Sequence, residues 1–189
     1  LLISTGRFDR AFATHWTNGP LLVREDTGHF LRESDLQAQG RPGVCFAATG
    51  SAGRLLAYDS ARGLWLDDPA EAQLAAQTEI LTRDGPVRCR TAFDLYAAAA
   101  AEFPPARVHD ITGVDEDELR NAADILAASR SVAYYAWNGV GQSVTATQTD
   151  RAISLLYALT GSYGRRGGNV PGGAASFADI SGQDLLSSD

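Results

Sequence analysis

The sequence is poor in the residues that hold metal clusters. Its 189 residues include two cysteines, Cys45 and Cys89, which lie far apart, and three histidines. Protein-bound iron–sulfur clusters are held by closely grouped cysteines, and no Cys-x-x-Cys spacing occurs here. Any iron–sulfur cluster that works with this chain is therefore expected elsewhere in a larger protein.

Positive charge is scarce as well. The chain has no lysine, its 16 basic residues are scattered arginines, and its formal net charge is −7. Nucleic-acid binding needs a basic stripe that neutralises phosphates. We therefore exclude nucleic acid as a partner.

Long apolar runs are also missing. No segment approaches the ~18–20 apolar residues that cross a bilayer, and the apolar stretch at 1–4 lacks the length and charged flank of a signal sequence. We predict a soluble chain without a membrane segment and favour the cytoplasm, although no residue pattern encodes the compartment. Methionine is absent and the chain starts at Leu1, so we expect an internal segment of a longer protein.

Between residues 20 and 91, short apolar runs alternate with turn residues. Turns are predicted around Glu25–Gly28, Gly50–Gly53 and Asp84–Gly85. Apolar runs joined by such glycine-containing turns form β-hairpins. A short helix start is predicted at Asp68. We therefore predict a β-rich hairpin insertion over 20–91.

Helical patterns flank this region. Phe8–Thr14 predicts one helix, and Ala92–Glu102 predicts another that ends before Pro104. The next helix is predicted to start at Asp115, because Glu118 follows three residues later and acidic residues favour a helix N-terminus. With 44% hydrophobic residues, the chain can bury the core of one α/β domain.

The most informative stretch is Ser131–Val170, where elements of a ligand site follow one another directly. Val132–Trp137 predicts a buried strand, Asn138–Gln142 a glycine loop, and the residues from about Ala146 a helix that leads to a second glycine loop. Open α/β sheets bind ligands where strands end and helices begin, because the loop approaches closely and the helix N-terminus offers free N–H donors.

The helix in this stretch carries start and stop signals. Thr145 and Gln148 have the spacing of a capping box, and Gly161 follows the last apolar residue as a C-terminal glycine. Its outward face is predicted to carry Thr149, Asp150 and Ser154. One face is predicted to pack on the sheet, formed by Ala152, Ile153, Leu156 and Leu159.

The glycine pattern alone is not specific. Gly139-Val140-Gly141 lacks the third glycine of a dinucleotide fingerprint, and Tyr157–Gly164 contains no carboxylate to hold a ribose. A nicotinamide site is therefore disfavoured. A tight strand-to-helix turn without a ligand remains an alternative interpretation.

The order of motifs over about 65 residues, Pro105–Val170, resembles the large-subunit family of molybdopterin oxidoreductases. This family includes formate dehydrogenases, nitrate reductases and polysulfide or thiosulfate reductases. The shared features are an ITGV turn, an acidic helix start, an apolar strand, a GxxQ loop, an ALTG helix end and a GGxV loop. Phe8–Arg24 resembles an earlier helix and extended segment of some members.

The resemblance implies a bis(molybdopterin guanine dinucleotide) cofactor with molybdenum or tungsten, held between two Rossmann-like domains. By position, one loop contributes Asn138, Gly139, Gly141 and Gln142, and the next contributes Gly167, Gly168 and Asn169. Glycine backbones permit close approach, and amides offer both donors and acceptors to pterin or guanine edges. Capping of local backbone is the alternative role for the two amides of the first loop.

The resemblance also implies a division of the chain. Residues 1–19 and 92–170 would belong to an α/β, Rossmann-like cofactor-facing domain, 20–91 to the β-rich insertion, and 171–189 to a loop or tail leading to the next domain. The implied partners are the rest of the parent polypeptide, an iron–sulfur electron-transfer subunit and a small-molecule substrate. The isolated chain is expected to be inactive, because the metal ligand lies outside it.

Several alternatives stay open. The same fold serves as a structural domain without molybdenum in the large subunit of respiratory complex I, and a generic nucleotide-binding module is a third interpretation. The Arg-Gly-Gln element of formate dehydrogenases is replaced here by residues 171–177, which argues against formate as substrate. His15 and Arg165-Arg166 are candidates for cofactor contact or for surface roles, whereas His29 and His109 are predicted at the surface.

Overall fold

A computed structural model describes residues 1–51, 53–135 and 138–170, which form a mixed α/β structure with two small antiparallel sheets. The helices and strands follow one another along the chain as α1 (Arg10–Trp16), β1 (Leu22–Arg24), α2 (Glu33–Leu36), β2 (Val44–Ala48), β3 (Leu55–Asp59), β4 (Leu64–Trp65), β5 (Gln77–Thr82), β6 (Gly85–Thr91), α3 (Ala92–Ala101), α4 (Pro105–Thr112), α5 (Glu116–Ala128), α6 (Asn138–Gly141) and α7 (Ala146–Thr160).

The three predicted hairpins are confirmed. Strands β2 and β3 pair antiparallel, and β4 continues that sheet, while β6 lies between β1 and β5 in the other. The first hairpin closes where the backbone N–H of Arg24 donates to the carbonyl of His29 at 2.8 Å. A short 3-10 helix at Pro69–Glu71, capped by the Asp68 carboxylate, confirms the helix start predicted there.

Strand β2, which belongs to the β2–β3–β4 sheet, lies between two apolar clusters. Side chains alternate across a strand, so Cys45 and Ala47 pack in one apolar cluster and Phe46 and Ala48 in the other. Leu56 is fully buried in the first cluster, and burial of such a side chain is worth about 1.5–3 kcal/mol.

A third core lies among the helices. It gathers side chains from the N-terminal segment, α1, the loop before β5, α3, α5 and α7. Leu159 is buried there, with Leu156 half-buried beside it, whereas Ala152 is exposed. The prediction that this face of α7 packs on a sheet is wrong, because other helices cover it.

Capping explains where the helices begin and end. The Asp9 carboxylate accepts from Phe12 N–H at the start of α1, and Asp115 accepts from Asp117 N–H at the start of α5. Gly161 adopts the left-handed conformation after α7, with φ of 61°. The predicted limits of α3, the start of α5 and the end of α7 are confirmed to within about one residue.

Two predictions in the glycine-rich region are wrong. Residues 131–135 form no strand, and Tyr135 is 93% exposed, because the described residues offer no neighbouring strand to complete a ladder. The last two residues of that predicted strand, 136 and 137, lie outside the described residues. The Thr145 capping box is also not formed, since the Thr145 hydroxyl bonds instead to the Ser143 hydroxyl at 2.9 Å.

Within the described ranges, no helix has the length and apolar character needed to cross a bilayer. The predicted tail at 171–189 lies outside those ranges.

Candidate functional site

The second glycine loop is built onto the segment that precedes the first. The backbone N–H of Val132 donates to the Ser162 hydroxyl at 3.0 Å. The Asn169 side chain bonds both backbone groups of Tyr134: its Oδ1 accepts from the N–H at 2.7 Å, and its Nδ2 donates to the carbonyl at 3.1 Å. Side chains of one loop thus replace the missing strand partner of the other segment.

The three predicted residues of this loop have different surroundings. Gly167 is exposed with φ of 83°, and Gly168 is packed so closely that a side-chain carbon would overlap the Ser162 carbonyl. Asn169 is half-buried and holds Tyr134. Gly168 and Asn169 therefore position the loop, while Gly167 presents free backbone.

The first glycine loop begins with the single helical turn α6. Asn138 and Gln142 are exposed, and Gln142 N–H donates to the Gly139 carbonyl at 3.3 Å. A side-chain carbon at Gly139 or Gly141 would meet no atom within 4 Å among the described residues. The backbone of this turn is therefore open to approach from outside.

The structure brings only part of the predicted site together. Gly167 and Gly168 lie against Ser131, and Asn169 lies against Tyr134. No hydrogen bond among the described residues joins 138–142 to 167–169. The two loops are connected through residues 131–135, which contact the second loop and precede the first.

A cleft that the sequence did not reveal lies beside these loops, between α1, α7 and the 131–135 segment. We call it the aromatic cleft; its volume is about 520 Å³. It is lined by Phe12, Trp16, Thr17, Tyr134, Asp150, Ser154, Tyr157, Ala158, Tyr163 and Asn169. Of the predicted site residues, it includes Asn169 and none from 138–142. The sequence contains one trace of this cleft: Phe12 and Trp16, and likewise Asp150 and Ser154, are four residues apart and therefore share a helix face. This spacing does not show that the two helices meet.

The base of the aromatic cleft is a buried tyrosine. Burial raises the pKa of Tyr157, and the nearby Tyr134 and Asp150 raise it further. The rings of Tyr134 and Tyr157 lie with centroids 6.0 Å apart. The Asp150 carboxylate therefore lies close enough to Tyr157 to disfavour a negative charge on that side chain.

Asp9 ties the rim of the site together. Its backbone N–H donates to the Leu159 carbonyl at 2.7 Å, and its Oδ2 lies 3.4 Å from the Arg165 guanidinium. A side chain at Gly161 would overlap the Asp9 carboxylate. Arg165 also donates to the Arg130 carbonyl at 3.4 Å, so this arginine has a structural role in the loop.

The remaining candidates have local roles. His15 lies in the last turn of α1, with Nδ1 2.9 Å from the Ala11 carbonyl. Cys45 and Cys89 are buried free thiols, and burial raises the pKa of Cys89 to about 11. In the part of the chain that the structure describes, no group of three or more His, Cys, Asp or Glu side chains is placed to hold a metal ion.

Comparison with known proteins identifies relatives along most of the chain. It is 30% identical to the dimethylsulfide dehydrogenase alpha subunit of Rhodovulum sulfidophilum over 175 residues, which is 89% of this chain and 18% of that protein. It is also 30% identical to the respiratory nitrate reductase alpha subunit of Haloferax mediterranei over 182 residues, covering 88% and 18% respectively.

A higher identity is confined to a shorter region. The chain is 36% identical to formate dehydrogenase H of Escherichia coli over 73 residues, which is 39% of this chain and 10% of that protein. No family model matches the chain.

The chain thus spans less than one fifth of the length of these relatives. Nitrate reductases and formate dehydrogenases are members of the family whose motifs occur in order over 105–170. The similarity over nearly nine tenths of the chain extends the relationship well beyond those motifs. The chain belongs to the large-subunit family of molybdopterin oxidoreductases.

Proposed function

We propose that the chain contributes cofactor-binding loops to an enzyme that carries bis(molybdopterin guanine dinucleotide) with molybdenum or tungsten. In this proposal the first loop, 138–142, and the second, 167–169, approach the cofactor, and the helical part of the chain completes a Rossmann-like domain of the parent enzyme. When bound, the cofactor supplies the redox chemistry at its metal; the protein supplies position and electrostatic surroundings.

The observation that carries the proposal is the contrast between the glycines. Gly168 is needed for packing, because a side chain there would overlap the Ser162 carbonyl. At Gly139 and Gly141 no described atom lies within reach of a side-chain carbon. Packing within the described part of the chain therefore does not account for these two glycines, whereas close approach of a large ligand does.

The amides beside these glycines fit the same role. Asn138 and Gln142 are exposed, and each amide offers two N–H donors and a carbonyl acceptor. Pterin and guanine edges carry donors and acceptors side by side, so such amides can pair with them. In the second loop, Gly167 offers exposed backbone, while Asn169 holds the loop against Tyr134.

A bulky side chain in the first loop tests the proposal. A leucine at position 141 has open space among the described residues, so Gly141→Leu should change the free energy of unfolding of the 189-residue chain by less than about 1 kcal/mol. In the full-length enzyme the same leucine should displace the cofactor. We expect at least a tenfold loss of bound pterin and molybdenum or tungsten per protein, measured by fluorescence of the oxidised pterin and by metal analysis.

Gly50→Leu is the matched control, because Gly50 is also exposed but lies in the β2–β3 turn, where a side-chain carbon would meet only the Gln73 amide at 3.9 Å. It should leave cofactor content unchanged. Normal cofactor content in Gly141→Leu would reject a cofactor contact at this loop. A full-length wild-type protein without metal or pterin would favour the structural alternative.

A second proposal concerns the reaction class of the whole enzyme and names no particular substrate. We propose that it oxidises or reduces a small-molecule substrate and exchanges electrons with an iron–sulfur subunit. The relatives named as alpha subunits support an assembly of several chains. The 189-residue chain alone should show no turnover, and measurable activity of this chain would contradict the proposal.

A further inference from the structure

We propose that the aromatic cleft binds a small organic cation of the quaternary ammonium class. Apart from Asn169, the residues that line this cleft lie outside the predicted cofactor-binding residues, and the proposal does not depend on the molybdopterin cofactor. It is carried by the combination of aromatic walls with a single carboxylate in one cleft.

The walls supply aromatic side chains from four parts of the chain. Trp16 and Phe12 come from α1, Tyr157 from α7, and Tyr134 and Tyr163 from the two adjoining loops. Trp16 is 78% exposed and Tyr163 52% exposed. Aromatic faces attract cations electrostatically, and tryptophan does so most strongly. A ligand that covers these rings would also bury apolar surface that water now contacts.

The charge of the cleft selects a cation. Asp150 is the only charged residue in its lining, and no arginine pairs with Asp150 among the described residues. The neighbouring Arg151 donates to Gln148 at 3.4 Å. Arg165 lines an adjoining cleft and is paired with Asp9 at 3.4 Å. A cation in the aromatic cleft would therefore meet a carboxylate that is paired with no basic side chain among residues 1–51, 53–135 and 138–170.

The size and the polar groups limit the ligand. A volume of about 520 Å³ suits a small molecule. Thr17 and Ser154 can bond a hydroxyl on the ligand, since each carries a donor and an acceptor. A neutral planar ring would gain contact with the aromatic walls but nothing from Asp150, so the carboxylate favours an alkylammonium ion.

A pair of isosteric ligands tests the role of charge. Choline and 3,3-dimethylbutan-1-ol have the same shape, but only choline is charged. We expect choline to bind the 189-residue chain saturably in the millimolar range and the neutral alcohol to bind at least about tenfold more weakly. Titration at constant ionic strength, followed by NMR at the Trp16 indole N–H, measures both affinities and locates the site.

Variants separate the two components of the site. Asp150→Asn and Trp16→Ala should each weaken choline binding by about fivefold or more. Asp110→Asn and Phe103→Ala remove an exposed carboxylate and an exposed ring outside the cleft, so they should leave choline binding unchanged.

Equal affinity for choline and its neutral isostere would overturn the proposal, as would unchanged binding in Asp150→Asn. Absence of saturable choline binding by the folded chain would overturn it too. Tighter binding of guanosine than of choline at the Trp16 indole would show instead that the cleft recognises planar rings.

Discussion

Some glycines of this chain are closely packed and others have open space around them among the described residues. Gly168 is closely packed. A methyl group there would overlap the Ser162 carbonyl and crowd the Ser131 hydroxyl. We expect Gly168→Ala to lower the free energy of unfolding by about 2–3 kcal/mol, because either the loop must move or close contacts must be tolerated. Urea denaturation of the 189-residue chain measures this change.

Gly43→Ala is the control for that substitution. The added carbon would meet the Ala61 side chain at 3.7 Å, which is ordinary contact. Its stability should stay within about 0.5 kcal/mol of the wild type or rise slightly, since alanine restricts the unfolded chain. Equal losses in both variants would show that the packing of Gly168 is not the cause.

Residues whose role depends on nearby sequence were predictable. Gly161 was expected as a helix C-terminal glycine because the signal lies within one turn. The packing of Gly168 was not predictable, because the Ser162 carbonyl approaches it through the fold of the loop. Thr145 was predicted to cap α7, but Ser143 competes for its hydroxyl at 2.9 Å.

Among the secondary-structure elements, the short helix α2 is held by an ion pair that responds to pH. Glu33 accepts from the Arg41 guanidinium at 2.7 and 3.0 Å and from the Arg41 backbone N–H at 2.8 Å. These contacts lower the pKa of the Glu33 carboxyl from 4.5 to about 2. A lowered pKa in the folded state stabilises the fold above the unfolded value, and that contribution is lost as pH falls toward 2.

Glu33→Gln tests this link. The difference in stability between wild type and variant should be full above about pH 5 and should shrink as pH falls to about 3. Glu79→Gln, on the exposed face of β5, controls for the loss of a surface carboxylate. Unfolding midpoints in urea at several pH values measure the effect; a difference that does not vary with pH would contradict it.

Elements that complete their own hydrogen bonds locally were the predictable ones. The hairpins contain both strands and their turn in one stretch of sequence, so turn residues and alternation identify them. The segment Val132–Tyr135 has strand-like composition but no neighbouring strand among the described residues. Apolar composition indicates that a segment prefers to be buried, but a strand also requires a neighbouring strand for its backbone hydrogen bonds. Here the side chains of Ser162 and Asn169 accept hydrogen bonds from the backbone of this segment instead.

In the whole molecule, Asp9 joins the first residues to the last described loop. Asp9→Asn keeps an oxygen acceptor for the cap of α1 but removes the charge opposite Arg165. A double-mutant cycle with Arg165→Gln should give a coupling energy of about 0.2–1 kcal/mol, as for partly exposed ion pairs. The same cycle with the adjacent Arg166→Gln should give no coupling energy. Equal coupling energies for Arg165 and Arg166 would show that Asp9 interacts with the nearby positive charge in general and forms no specific ion pair with Arg165.

The family was predictable from the sequence because its motifs lie in order within 105–170. The aromatic cleft was not, since its lining comes from 12–17, 134, 150–158 and 163–169. Only the docking of α1 on α7 brings these segments together. No local pattern marks Phe12 and Tyr163 as neighbours in space.

The contact of Asp9 with Leu159 and Arg165 also has a kinetic consequence. It closes a loop of about 150 residues, and long loops cost more entropy to close than the turns of the hairpins. The hairpins can therefore assemble early during refolding, whereas the aromatic cleft exists only after the segments around Asp9 and Leu159 have met. A ligand of that cleft can bind only after the cleft has formed, so it would not accelerate the early steps of folding. It would stabilise the chain by slowing its unfolding.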